Sequence, residues 1–262
     1  MTADLRVVVD TKVIVSAMLL PLSVPRRALD RALREGRLLV PAATTAELAE
    51  VIHLPRFDKY LSEEGSRTAV RLAIAGNVMD LGVKGGLNES EIRVSIEQSL
   101  DEPLDGDTIA FAAAVRESQN ILYLTDNLGE IVFDRLLIER MPREKTTVAV
   151  RGAPVINDAT LEDAKAAGLT DLVYVIDNGS DAPGTILHDC SDYFQRRFAD
   201  ADLIIAKVQG NYETLRESSK QVYFLLRVKC PVIARDVGCP VGRMVLQPSR
   251  TQMVEGAEGV HS

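Results

Sequence analysis

From Asn120 onward, short apolar runs recur between segments of helical periodicity, and this alternation limits what the chain can fold into. The runs are "ILYLT", "TTVAVR", "DLVYVI", "DLIIAK", "VYFLL" and "CPVIA". Between most of them lie "EIVFDRLLIERM", "TLEDAKAAG" and "CSDYFQRRF", whose apolar residues return at helical spacing. Strands that are rich in Val, Ile and Leu throughout, rather than alternating apolar with polar, are covered on both faces. The pattern predicts an α/β fold: a mostly parallel sheet flanked by helices. In such sheets ligands bind beyond the carboxyl ends of the strands.

Upstream, "LRVVVD" and "LLVP" read as strands, and "VPRRALDRALREGR" and "TTAELAEVIHL" as helices, giving a β-α-β-α segment over residues 1–66. "SRTAVRLAIAGNVMDLGV", "NESEIRVSIEQSL" and "DGDTIAFAAAVRES" read as three further helices, the last with Asp107 near its start. Residues 67–118 therefore form a helical part and 119–247 the α/β core. After about Gln247 periodicity stops, so 248–262 read as a disordered tail.

Composition narrows the function. The net charge of −8 argues against a broad grip on nucleic acid, and 5% aromatics without Trp argue against base-stacking platforms. Cys190, Cys230 and Cys239 form no CxxC pair, so neither a disulfide framework nor a thiolate zinc site is indicated. The start "MTADLRVVVD" has no leader pattern, and no run approaches the ~18 apolar residues of a membrane span. A reduced, cytoplasmic protein without a membrane partner is expected. No pattern encodes an oligomeric state.

The strand ends carry the chemistry. "ILYLT" runs into Asp126-Asn127, and "VAVRGAPVINDAT" contains Asn157-Asp158. Asp177, Asn178, Gly179 and Asp181 follow "LVYVI", Lys207, Gln209, Gly210 and Asn211 close "LIIAKVQGN", and Arg227 and Lys229 end "LLRVKC". Carboxylate and amide oxygens suit a hard divalent cation, while a phosphate is held by metal, Lys and backbone N–H groups. The same residue types also build turns and helix caps, so one Asp-Asn pair means little. Two such pairs, with Lys at a further strand end, describe a site for a phosphorylated ligand. Glu130 and Asp134 read as ordinary members of the helix after Asp126. His53, His188 and His261 share no motif.

From about Thr68 to Leu246 the chain resembles the damage-control phosphatase family, an ARMT-like metal-binding domain. The stretches that carry the resemblance are "LAIAGNVMDLGV", "ILYLTDNLGEIVFDRLLIE", "VAVRGAPVINDATLEDAKAAGL", "IDNGSDAPGTIL", "ADLIIAKVQGNYETL" and "VYFLLRVKCPVIA". The resemblance implies a metal-dependent phosphohydrolase acting on small phosphorylated metabolites. It implies that Asp126, Asn127 and Asp158 hold a divalent metal (Mg²⁺, Mn²⁺, Co²⁺ or Ni²⁺). Asp126 and Asp158 would be catalytic together with Lys207, and Asn77, Asp80, Asn211 and Lys229 would face the substrate. Three departures stand out, the first being that the family's own N-terminal helical cap, with its Cys-containing start, is missing. Leu128 follows the Asp-Asn pair where the family has a small residue. Val208 stands where the family has Gly, and would be strained if that position needs a positive φ.

Residues 4 to about 65 resemble the front of a PIN-domain nuclease. That family's opening "DTNVIVSA" is here "DTKVIVSA", and its helix acid corresponds to Glu47 in "TAELAEV". The resemblance implies a metal-dependent ribonuclease using Asp10, Glu47, Asp107 and Asp126, with Lys12 placing a cation where an amide is expected. A third reading is a non-catalytic remnant of a gene fusion that binds a metal or phospho-ligand, crippled by Val208 and the lost N-terminal cap. The phosphatase reading is preferred, because a PIN fold needs nothing after residue 150 and the other match continues far beyond it.

Overall fold

The computed structural model describes residues 5–8, 36–39, 65–76, 102–128 and 130–249. Strands β1 (Leu5–Val8) and β2 (Gly36–Leu39) pair in parallel as a two-stranded sheet. The main sheet has seven strands: β3 (Leu104–Asp105), β4 (Ile121–Leu124), β5 (Thr146–Val150), β6 (Tyr174–Asp177), β7 (Leu203–Lys207), β8 (Val222–Arg227) and β9 (Met244–Pro248). Their order is β3-β9-β8-β7-β4-β5-β6. Strands β4 to β8 are mutually parallel, β9 is antiparallel to β8, and β3 is parallel to β9. The expected mostly parallel α/β sheet is what forms.

Helices cover both faces. On one, α1 (Gly65–Ala75), α2 (Thr108–Glu117), α3 (Ile131–Ile138) and α4 (Leu161–Ala166) pack on Ile121, Tyr123, Val148, Ile205 and Leu225. On the other, α5 (Asp192–Asp200), α6 (Val208–Leu215) and α7 (Pro231–Val237) pack on Leu122, Leu124, Ile204, Ala206 and Phe224. Alternate residues of β4 thus feed opposite cores, which is why the whole strand is apolar.

The chain steps outward from β4 to β5 and β6, then returns to place β7 on the other side of β4. The connections therefore diverge at β4, the switch point at which sheets of this kind form a crevice at the carboxyl ends of their strands.

Two expectations change. "CPVIA" is not a strand but the start of α7: Pro231 has no N–H for a ladder and suits a first helical turn. The seventh strand is instead β9, and order continues to Ser249, whose N–H donates to Val222 O at 2.7 Å. β7 passes into α6 at Val208 without a break, so "KVQGN" spans the end of a strand and the start of a helix.

Asp107 caps α2, its Oδ1 accepting from the N–H groups of Ile109 and Ala110 at 2.9 Å each. Because β3 runs antiparallel to β4, Asp107 lies at the opposite edge of the sheet from Asp126, with β9, β8 and β7 between. The structure therefore does not bring these two acids of the nuclease reading together. Asp10, Lys12 and Glu47 lie outside the described residues.

Candidate functional site

The loops leaving β4 and β5 zip together. Asn127 and Asp158 form an isolated antiparallel bridge, in which Ala159 N–H donates to Asp126 O at 2.6 Å and Leu128 N–H to Asn157 O at 2.8 Å. This sets Asp126, Asn127 and Asp158 side by side at the crevice. It also explains Leu128, which contributes its backbone amide, a role open to any residue but proline.

Two buried cations lie at this end of the sheet, and one of them meets these carboxylates directly. Arg151, the first residue after β5, places Nε 2.5 Å from Asp158 Oδ2 and Nη2 3.5 Å from Asp126 Oδ1, and its Nη1 donates to Gly184 O. Its Nη2 is buried without a hydrogen-bond acceptor. Lys207, at the end of β7, is wholly buried, with Nζ 3.0 Å from Glu130 Oε2 and 2.6 Å from Asp134 Oδ1. Asp134 Oδ1 also accepts from Tyr123 OH at 2.8 Å, while its Oδ2 is buried without a partner. Glu130 Oε1 accepts from Asn127 Nδ2 at 2.6 Å, which leaves Asn127 Oδ1 as the end able to meet a ligand.

The ionisation follows. Burial raises the Asp126 pKa well above the ordinary carboxylate value. Glu130 and Asp158 raise it further, against the opposing pull of Arg151 and Lys207. Burial alone would lower Lys207, but Asp134 and Glu130 outweigh this and hold its ammonium above the usual value. Burial, then the Asp134 carboxylate, holds the Tyr123 hydroxyl protonated.

Close backbone approach completes the walls. A Cβ on Gly152 would lie 2.5 Å from Gly179 Cα, and one on Gly184 (φ +75°) 2.8 Å from Gly210 O. Asn178 Oδ1 accepts from Gly152 N–H at 2.9 Å and Ser180 N–H at 3.0 Å, and Asp177 Oδ1 from Gly179 N–H at 3.0 Å. These two are turn-builders. Asn211 is wholly buried: Nδ2 donates to Lys207 O at 2.9 Å and Thr125 O at 3.3 Å, and Oδ1 accepts from Thr185 Oγ1 at 2.8 Å. Val208 does adopt a left-handed φ of 60°, so this position asks for the conformation that glycine gives freely.

Of the expected site residues, Asp126, Asn127, Asp158 and Lys207 converge, and Asn211 buttresses them. Lys229 is half-buried beyond β8, its N–H donating to Gln209 Oε1 at 3.3 Å. Asn77 and Asp80 lie outside the described residues; Gly76, just before them, has space for a Cβ only 3.3 Å from Glu130 Cα. The sequence reading missed Glu130, Asp134 and Arg151. A signal existed: two acids four apart that bracket an apolar run, "EIVFD", and an arginine directly after a buried strand.

Asp126, Glu130, Asp134 and Asp158 against Arg151 and Lys207 make four carboxylates against two cations, a formal −2 when all are ionised. Among the described residues no three His, Cys, Asp or Glu side chains form an ion cage by themselves. The set at the crevice is two carboxylates and an amide. That excess charge and those hard oxygen donors fit a divalent cation. Also among the described residues, no helix is long and apolar enough to cross a membrane.

Comparison with known proteins agrees with this architecture. A solved structure of a DUF89 family protein from Pyrococcus horikoshii superposes with a TM-score of 0.69 at 37% identity, covering 80% of this chain and 73% of that one. A damage-control phosphatase of Pyrococcus horikoshii is 40% identical over 71% of this chain, and one of Archaeoglobus fulgidus 41% over 70%. An uncharacterized protein of Methanocaldococcus jannaschii is 43% identical over 70%. The alignments span 66%, 65% and 62% of those three relatives, respectively. The model of the damage-control phosphatase ARMT1-like domain matches residues 39–245. With that match over most of its length, the chain belongs to the damage-control phosphatase ARMT1-like domain family.

Proposed function

We propose that the protein is a metal-dependent phosphatase that hydrolyses small phosphorylated metabolites. Asp126, Asn127 and Asp158 hold the divalent metal, whether Mg²⁺, Mn²⁺, Co²⁺ or Ni²⁺. The metal, when bound, polarises the phosphoryl group and lowers the pKa of a bound water. What supports this reading is the bridge between Asn127 and Asp158, which gathers all three donors at the switch point of the sheet.

The remaining residues have distinct roles in this reading. Glu130 fixes the Asn127 amide so that its oxygen faces the crevice. Lys207 holds Glu130 and adds positive charge beneath the site, where low polarity strengthens its field. Asn211 clamps the start of α6 to the β4 end. Asn77, Asp80 and Lys229 serve the substrate side, Lys229 as a phosphate-side cation.

The test is phosphate release from p-nitrophenyl phosphate and small sugar phosphates, with each metal added in turn. Metal-dependent release that disappears in Asp126→Ala is expected. Equal release by wild type and Asp126→Ala would sink the proposal.

A further inference from the structure

Arg151 occupies the electrostatic place that a metal would need. Its guanidinium spans Asp158 Oδ2 (2.5 Å) and Asp126 Oδ1 (3.5 Å), two of the three proposed metal donors. Its side chain is 4% exposed, and its Nη2 has no hydrogen-bond acceptor. Lys207 is different: its ammonium sits 3.0 Å and 2.6 Å from Glu130 and Asp134, neither of which is a proposed ligand. The two buried cations thus divide the four acids between them.

Two carboxylates packed side by side repel unless a cation lies between them. A guanidinium fork suits that task because its donors are planar and spread. The fork is incompletely used here. Nη2 points to Asp126 at ion-pair distance but makes no hydrogen bond, so the Asp126 side of the contact is the weaker one. Asp126 is also the more exposed carboxylate, at 13% against 7% for Asp158. A cation from solvent meets the loosely held oxygen first.

We infer that Arg151 is a positioning residue, a built-in counter-ion that holds Asp126 and Asp158 together without metal and competes with the metal for them. This rests on the metal site proposed above. A residue that only buttresses the fold would weaken metal binding when removed. A competing counter-ion does the reverse: its removal destabilises the metal-free protein and tightens metal binding.

The experiment is Mn²⁺ titration calorimetry on the full chain, with melting curves with and without saturating Mn²⁺, for wild type, Arg151→Gln and Arg151→Lys. Arg151→Gln should melt below wild type without metal and bind Mn²⁺ on the order of tenfold more tightly. Saturating Mn²⁺ should close most of the gap in melting temperature. Arg151→Lys keeps the charge but loses the fork, so its affinity should fall between the two; this variant carries the test if Arg151→Gln does not fold. Affinity equal to or weaker than wild type's in the variant measured overturns the inference, as does a melting gap that Mn²⁺ leaves unchanged. In those cases wild-type binding still stands, and with it the metal site. No Mn²⁺ binding by wild type overturns both.

Discussion

Asn127 Nδ2 donates a 2.6 Å hydrogen bond to Glu130 Oε1, and both residues are buried. The contact decides which end of the Asn127 amide faces the crevice. A carboxylate accepts only, so the nitrogen must turn toward it and the oxygen away.

Glu130→Gln should therefore weaken metal binding without removing a ligand. The neutral amide can present either end to Asn127, and one negative charge near the site is lost. Mn²⁺ affinity should fall about 10- to 100-fold, the range for groups that orient metal ligands. Calorimetry on the folded variant checks this; unchanged affinity would show that Asn127 is oriented by something else.

Lys207→Met should be severely destabilising. It leaves Glu130 and Asp134 buried without their cation, a change that costs about 3–5 kcal/mol. Urea unfolding of wild type and variant measures the difference. A loss below about 1 kcal/mol, the worth of an exposed pair, would contradict the burial seen here.

Ile156 predicts a gain. It is 85% exposed, sits at φ 50°, and occupies a turn closed by Asp158 N–H donating to Val155 O at 2.9 Å. Asn tolerates the left-handed region, and little burial is lost on replacing an exposed side chain. Ile156→Asn should stabilise the protein by about 1 kcal/mol, read as a higher urea midpoint. At Val208, which is buried, the strain relief from the same change is offset by lost packing.

The pH dependence has a definite sign. Burial, then Glu130 and Asp158, raise Asp126 above its unfolded value of about 3.9. The folded, metal-free protein thus binds this proton more tightly than the unfolded chain. That contribution to stability is full below about pH 4 and is lost as pH rises through the raised folded value. Metal needs the carboxylate, so its affinity rises over the same window. The Mn²⁺-induced rise in melting temperature should widen from pH 5 to pH 8, and Asp126→Asn should flatten the trend. A rise that narrows with pH would count against Asp126 as a ligand.

Much of this was legible in the chain. Continuous apolar runs such as "ILYLT" gave the buried parallel strands, and the Asp-Asn and Asn-Asp pairs at their ends marked the crevice. "CPVIA" misled because a short apolar run looks alike in a strand and in a buried helix turn; Pro231 was the evidence for the helix. The strand β9 escaped notice because "MVLQP" lies past the last clear helix, and its place depends on pairing with β8.

The sequence by itself determined the layered α/β fold and the residues that gather at its switch point, because side-chain periodicity and strand-end chemistry are local properties. Only the tertiary structure decided the partners. Glu130 and Asp134 read as plain helix residues until α3 packed beside β7 and enclosed Lys207 between them. Arg151 read as the end of a strand until the bridge between Asn127 and Asp158 brought both carboxylates to its guanidinium. Charge pairing acts through space, and which charges meet depends on how the sheet orders its strands.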